Sequence, residues 1–306
     1  MSVVLVGSVA DDHVRALADT LRTRGVDPVL LDSLKYPDGP RLALGDRLEG
    51  ITLDGIALGT PSSVYLRSLY LSPLAFGVDV GDEMDQNWRT TLVIFREKAE
   101  LLVSLLLRWE ELGVAIYNPL TASDRVRKPY QLARLAAAGL PVPETLWTND
   151  PAAVRRFAAG RRIAYKPVAG GAATQELKVE DLDERRLAAL ANAPVTFQEL
   201  LTGEERRVFV LDGEVIAAYR IVSDALDYRQ HEQRVESVVL DPPTRELCLR
   251  AATTLGLRFT GMDLKRGTDG AWRILELNPS PMFLGFDARA GTDVLGRLAG
   301  ALCRTP

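Results

Sequence analysis

The sequence predicts an α/β lobe followed by mixed α+β lobes that close on a cleft. Three features carry the prediction: a strand–helix–strand opening, a second half in which helices alternate with hairpins marked by Asp-Gly turns, and a final hairpin with oxygen-bearing side chains on one face and aliphatic ones on the other.

From the N-terminus, residues 2–7 are dominated by Val and Leu, the pattern of a buried strand, and residues 11–24 carry Val14, Leu17, Ala18 and Leu21 at helical spacing. Gly25 supplies the stop and residues 29–31 begin a second strand. Only Gly7-Ser8 follows the first strand, with no GxGxxG, so the lobe reads as Rossmann-like without a dinucleotide site. Residues 51–58 and 64–69 read as short strands. Residues 86–112 read as one long helix around Leu92, Phe95, Ala99, Leu102, Leu106 and Trp109, ended by Gly113. A strand at 114–117 and the breaker Asn118-Pro119 close a first domain at residues 1–118, leaving 119–306 as a second, with a small central lobe near 160–200 and a C-terminal lobe near 201–306.

In that second domain, residues 128–138 and 151–159 read as helices on either side of a Pro-Val-Pro turn. Residues 206–211 and 214–222 flank Asp212-Gly213, a strong signal for a two-residue hairpin loop. Residues 242–255 are helical, and 259–266 with 271–278 form the last hairpin around a Gly-Thr-Asp-Gly turn. Residues 217–236 and 282–289 read as loops lining the cleft, and together with the N-terminal lobe they are where substrate choice would be made.

Composition narrows the function classes. With 37 basic against 41 acidic residues the net charge is −4, so no nucleic-acid partner is expected. The opening MSVVLVGSVADD has no basic leader, and the apolar stretch 101–107 ends at Arg108, far short of the ~20 residues that span a bilayer. A cytoplasmic protein with no membrane partner is therefore expected, and a homodimer by base rate. Cys248 and Cys303 are far apart and read as small buried hydrophobes.

The last hairpin is the most informative segment. With Thr268-Asp269 as a two-residue loop, Asp263 faces Ile274 and Gly261 faces Glu276. Period-two alternation then gathers Asp263, Glu276 and Asn278 on one face, and Met262, Leu264, Leu275 and Leu277 on the other. Two carboxylates and an amide oxygen crowded together call for a positive partner, and Mg²⁺ accepts such a set together with water and phosphate. A solvated strand with scattered acids is the plain alternative, and a β-bulge would change the register. Lys166 ends a short strand directly before a loop whose Gly170 and Gly171 can offer backbone N–H groups as a phosphate cradle beside a mobile ammonium; a lysine before a plain surface turn is the alternative. With a two-residue loop at Asp212-Gly213, Arg207 and Arg220 share a face with Glu205, Phe209 and Ile216, a mixture that suits either a site wall or a surface salt bridge.

In order along the chain stand Lys128 in RKPYQLARLAAAGLPVPETL, Lys166 in AYKPVAGGAAT, Gln198-Glu199-Leu200 in TFQELL, Arg207 in RRVFV, Asp227-Tyr228-Arg229, Asp263 in GMDLKR, and ILELNPSP. This series resembles the ATP-grasp superfamily over about residues 119–290, and the lobe before it resembles the pre-ATP-grasp domain. The resemblance implies an ATP-grasp fold whose two lobes hold ATP. It implies that Lys128 and Lys166 hold ATP phosphates, that Gln198, Glu199, Leu200 and Leu201 meet the adenine, and that Gly170, Gly171 and Glu205 complete the nucleotide site. It also implies Arg229, Lys166 and Arg207 as catalytic cations, and Asp263, Glu276 and Asn278 as ligands of magnesium or manganese. Within the superfamily the chain is similar to the ribosomal-protein glutamate ligase (RimK-like) group and to the graspetide, microviridin-type, peptide cyclases. It has NPSPMFLGF where the cyclases commonly have NPAGQ.

The implied reaction is the joining of a carboxylate to an amine or hydroxyl through an acyl phosphate, releasing ADP and phosphate, in peptide modification or natural-product biosynthesis. The electrostatics of Mg²⁺, Lys166 and Arg229 would meet the charge on the transferred phosphoryl group. Of the two histidines, His13 reads as structural at a helix start and His231 as a candidate base for the nucleophile. Two other classes remain open: an ATP-binding regulatory module without turnover, and a small-molecule kinase on the same fold. Donor, nucleophile, amide or ester product, and peptide or small-molecule substrate also stay open.

Overall fold

The structure is a computed structural model of the 306-residue chain and describes residues 2–75, 77–223 and 232–304. The chain divides into two compact units. One comprises Met1–Ser123, Ser280–Asp287 and Asp293–Pro306, and the other Asp124–Pro279 and Ala288–Thr292.

The first unit is built on β1 (Val3–Gly7), α1 (Asp12–Thr23) and β2 (Val29–Asp32). Three two-residue strands follow, β3 (Leu42–Ala43), β4 (Thr52–Leu53) and β5 (Ile56–Ala57), which form a small antiparallel sheet. Asp54 and Gly55, both at positive φ, turn the chain between β4 and β5. The segment expected to be one strand, 51–58, is therefore a miniature hairpin. Next come β6 (Ser63–Leu66), α2 (Gly81–Glu111), β7 (Ala115–Tyr117) and the short α3 (Leu120–Ser123). The main sheet is parallel in the order β2-β1-β6-β7. All five residues of β1 are buried, as a strand covered on both faces must be. Leu102, Leu105 and Trp109 of α2 pack into the cluster that holds Val4, Val6, Val64 and Ile116.

Capping explains where the helices begin. Asp11 accepts the His13 N–H at the start of α1. Buried His13 then accepts the Phe283 N–H at 3.0 Å through Nε2 and meets the Phe283 ring edge-on, so its expected structural role holds. Gly7 is required by packing: a Cβ there would lie 2.9 Å from Val14 Cγ2 and 3.1 Å from Arg67 Cβ. Long helix α2 is interrupted at Asn87 (φ −140°, ψ 44°), one residue into the expected span.

The second unit begins with α4 (Lys128–Ala137), β8 (Thr145–Thr148) and α5 (Pro151–Ala158). It continues with β9 (Ile163–Pro167), β10 (Gln175–Glu176), α6 (Glu184–Ala188) and β11 (Val195–Glu199). These strands make an antiparallel sheet in the order β10-β9-β11-β8, with Val154, Ile163, Leu187, Leu190 and Phe197 as its core. Then come β12 (Glu205–Leu211), β13 (Glu214–Ser223), β14 (Glu232–Ser237), α7 (Pro242–Leu255), β15 (Phe259–Arg266) and β16 (Trp272–Asn278). They form an antiparallel sheet in the order β14-β13-β12-β15-β16, against which α7 packs at β12 and β13 and α4 at β16. The chain ends with α8 (Leu284–Ala290) and α9 (Val294–Leu302). Mixed helices and antiparallel sheets of this kind match the expected α+β class. Of the segments read as loops, the described residues of 217–236 lie in β13 and β14, 224–231 fall outside the described residues, and 282–289 is mostly α8.

Two bulges correct the expected registers. Leu211 pairs with Glu214, so Asp212-Gly213 is the two-residue loop expected, but Phe209 pairs with Ala217 and Val210 with Val215, leaving Ile216 as an extra residue. Arg220 therefore stands opposite Arg206 and leaves the face of Arg207, whose partner is Tyr219. In the last hairpin the turn is longer than two residues, closed by Gly267 N–H to the Ala271 carbonyl at 2.9 Å, and Leu275 is extra. Asp263 accordingly pairs with Glu276 and Gly261 with Asn278. The oxygen face is the one expected, with its two carboxylates brought directly opposite; Ile274 takes the place of Leu275 on the buried face. Among the described residues, no helix is long and apolar enough to cross a membrane.

Candidate functional site

In the second unit, one face of the large sheet runs from a cavity to an ion cluster. The cavity, about 440 Å³, is lined among others by Leu200, Leu201, Glu205, Arg220, Ile221 and Lys265. Its size falls within the range of small-molecule sites. Glu205 and Lys265 are cross-strand partners joined at 2.7 Å. Two residues further along the same strands, ~7 Å at ~3.4 Å per residue, the pair becomes Arg207 and Asp263. Beyond Asp263 across the ladder stands Glu276, with Asn278 two residues on.

Directly opposed carboxylates repel, and this sheet answers them with cations. Buried Arg207 donates from Nη1 to Asp263 Oδ1 at 2.7 Å, and its guanidinium lies 5.4 Å from the Phe209 ring. Lys128 Nζ donates to Glu276 Oε2 at 2.5 Å. Burial pushes the Glu276 carboxyl up. The hydrogen-bonded Lys128 ammonium, with Lys166 and Arg207 nearby, outweighs that and holds it below its ordinary value.

Lys128 reaches Glu276 because Gln131, one turn along α4, is bonded to β16. Gln131 Nε2 donates to the Leu277 carbonyl at 3.2 Å and to the Val126 carbonyl at 2.9 Å, and Oε1 accepts the Leu277 N–H at 2.6 Å. Sequence reasoning missed Gln131. The sequence places a polar residue beside Leu132 and Leu135 on one helix face but does not name its partner; in the structure Gln131 is 1% exposed. Gly170 and Gly171 both adopt positive φ, and a Cβ on Gly170 would stand 3.4 Å from Lys128 Cε and Nζ, so this turn and Lys128 are neighbours. Lys166 on β9 is opposite Thr196 and lies 3.4 Å from Gln198 Oε1.

The segment expected to meet adenine is more committed to the fold than the sequence suggests. Gln198 is buried and donates to Thr145 Oγ1 at 2.9 Å. The Glu199 N–H goes to the Glu144 carbonyl and the Leu200 N–H to the Arg162 carbonyl. Leu201 lines the cavity, and no backbone carbonyl among the described residues accepts its N–H. Arg229 and His231 lie outside the described residues.

Among the described residues there is no cluster of three or more His, Cys, Asp or Glu that could hold a metal. A divalent ion at the ion cluster would rest on Asp263, Glu276 and the Asn278 amide. The donors fit magnesium, a hard cation that takes oxygen ligands and keeps positions for phosphate and water. Cations already stand on both carboxylates, which marks where positive charge is needed. Cys248 is buried, with its thiol pushed up by burial to about 12, as expected of an inert small hydrophobe; Cys303 is half-buried and also free.

Comparison with known proteins places the chain in a family. Residues 175–302 match the family model of the RimK-like ATP-grasp domain. The ribosomal protein bS6–L-glutamate ligase of Salmonella paratyphi B is 30% identical over 210 residues, covering 63% of this chain and 69% of that one. The ATP-grasp ligase PsnB, solved with a phosphomimetic variant of its minimal precursor, Mg and ADP, is 50% identical with a TM-score of 0.93, covering 98% of this chain and 97% of that one. Macrocyclase MdnC of Microcystis aeruginosa MRC, solved with the precursor peptide MdnA, shares the fold at 22% identity and a TM-score of 0.81, over 99% and 100% of the two chains. The chain has the ATP-grasp fold, is an ATP-dependent ligase, and belongs to the RimK-like ATP-grasp family.

Proposed function

We propose that this ligase activates a carboxylate of a peptide with ATP and joins it to an amine or hydroxyl, releasing ADP and phosphate. One observation carries the reading. The face that begins at a cavity of about 440 Å³ ends in two opposed carboxylates, each held by a cation, in a chain half identical to a ligase solved with precursor, Mg and ADP.

A carboxylate is a poor electrophile. Attack of its oxygen on the γ-phosphorus makes an acyl phosphate and expels ADP; the nucleophile then adds to the carbonyl carbon and phosphate leaves. Lys128, Lys166 and the backbone at Gly170 and Gly171 would hold the phosphates, and the Leu201 N–H the adenine edge. Glu205 would line the adenosine end. Arg207 holds Asp263 in position, and Asp263, Glu276 and Asn278 would hold the metal. Magnesium, when bound, supplies positive charge against the transferred phosphoryl group. Arg229 is assigned to the acyl phosphate by the sequence resemblance. Because no covalent enzyme adduct is needed, the rate comes from placement and electrostatics.

Mass spectrometry tests this with a synthetic peptide rich in Glu and Asp that also carries Ser, Thr and Lys, incubated with Mg·ATP. The expected result is loss of one water per bond formed, with one ADP released for each. A stable phosphopeptide would make the protein a kinase, and unchanged peptide with continuing ATP turnover would remove the peptide from the proposal. Mild base separates ester from amide products. A homodimer and a cytoplasmic location belong to the proposal, checked by sedimentation and by cell fractionation.

A further inference from the structure

Lys128 has two competing partners. Its ammonium is bonded to Glu276 Oε2, and it also lies against the turn at Gly170 and Gly171. The Lys128 and Glu276 side chains are 32% and 28% exposed, so an incoming anion or metal can reach both, whereas Arg207 at 6% is fixed in the sheet. Gln131 pins the first turn of α4 to the residue beside Glu276 and thereby delivers the ammonium there. The local charges matter as well. Asp263 and Glu276 supply two negative charges, and Arg207, Lys128 and Lys166 supply three positive ones, so a divalent cation alone meets a surplus of positive charge.

We infer that Lys128 is a counter-ion switch: metal on Glu276 and Lys128 on Glu276 exclude one another, and a polyphosphate, by drawing Lys128 toward the turn at Gly170 and Gly171, opens Glu276 to the metal. This rests on the functional reading above and adds an order to it: metal binds tightly only with nucleotide and weakly ahead of it. Coupling of this kind is reciprocal, so metal must tighten nucleotide by the factor by which nucleotide tightens metal.

The test measures Mn²⁺ binding from the electron paramagnetic resonance signal of the free ion, with and without a non-hydrolysable ATP analogue. It compares the intact protein with Lys128→Met, Gln131→Met and Glu276→Gln. Without nucleotide the intact protein should bind Mn²⁺ weakly, and Lys128→Met should bind it ~10-fold more tightly or better, within the ordinary range for coupled sites. Adding the analogue should tighten Mn²⁺ strongly in the intact protein and much less in Lys128→Met. Gln131→Met, which keeps the ammonium but frees its helix turn, should shift nucleotide-free binding in the same direction and carries the test if Lys128→Met folds poorly. Nucleotide-free Mn²⁺ affinity that is unchanged or weaker in both variants overturns the switch. Glu276→Gln separates this from a failure of the site itself: if it binds Mn²⁺ with the analogue as the intact protein does, the metal assignment is wrong. If it loses Mn²⁺ while Lys128→Met gains none, the switch alone is wrong.

Discussion

Replacing Arg207 with Met keeps most of the side-chain volume and removes the cation from Asp263. The pair lies at 2.7 Å with side chains 6% and 13% exposed, so it belongs with buried ion pairs rather than with surface pairs worth ~0–1 kcal/mol. Breaking a buried pair by removing one partner costs ~3–5 kcal/mol, because the remaining charge stays buried without compensation. Asp263 also faces Glu276 directly, so the abandoned carboxylate gains a repulsion. At ~2–4 °C per kcal/mol for a domain of this size, the thermal midpoint should fall by ~6–20 °C. Scanning calorimetry on the intact chain measures it. Adding Asp263→Asn in the Arg207→Met background should restore most of the loss by removing the orphaned charge, and Mg²⁺ with a non-hydrolysable ATP analogue should restore part of it in the single variant. An Arg207→Met midpoint within a degree or so of the parent, or a double variant no better than the single one, would refute the reasoning.

The remaining predictions concern the nucleotide and the first unit. Lys128→Ala and Lys166→Ala should each weaken binding of the ATP analogue in calorimetry; unchanged affinity in both would mean the phosphates lie elsewhere. Leu201→Pro should weaken the analogue by removing the backbone N–H of a residue that lines the cavity. Leu200→Pro should instead lower the midpoint, since its N–H is bonded to the Arg162 carbonyl; the reverse pattern would move the adenine contact. Burial lowers the pKa of Lys98 to about 8, with attraction to Asp32 opposing the shift, and its ammonium donates to the Ser33 carbonyl. Below pH ~8 both folded and unfolded chains hold that proton and the burial penalty is complete. Between ~8 and ~10.5 the unfolded chain holds it and the folded chain releases it, so this group makes stability rise with pH. Lys98→Met should abolish that rise in the midpoint-versus-pH curve; an identical curve would show that Lys98 is not desolvated.

Much of the fold was legible because its signals are local. Asp212-Gly213 announces a tight hairpin turn by residue type alone, and both residues do adopt positive φ. The period of Leu102, Leu106 and Trp109 marks the buried face of α2. The bulges were not legible in the same way. Ile274-Leu275 and Val215-Ile216 are pairs of adjacent apolar residues, so alternation does not say which one is extra. The consequence is chemical as well as geometric: a longer turn together with one extra residue brought Asp263 opposite Glu276, and another extra residue turned Arg220 away from Arg207. The hairpin at Asp54-Gly55 was missed because its strands are only two residues long. The partners of the site were hidden for a different reason. Gln131 acts through the backbone of Leu277, more than a hundred residues away, and a helix sequence read alone carries no trace of that contact. Motif order located the cations and oxygens, while three-dimensional packing determined which cation neutralises which carboxylate.

The claim at the centre of this account is that a substrate carboxylate is activated as an acyl phosphate. Transfer of ¹⁸O from a labelled donor carboxylate tests it most directly, because the oxygen that attacks the γ-phosphorus departs with it. The account predicts ADP as the nucleotide product and one labelled oxygen in each phosphate released. AMP as the product, or phosphate free of label, would contradict it even though the fold stands.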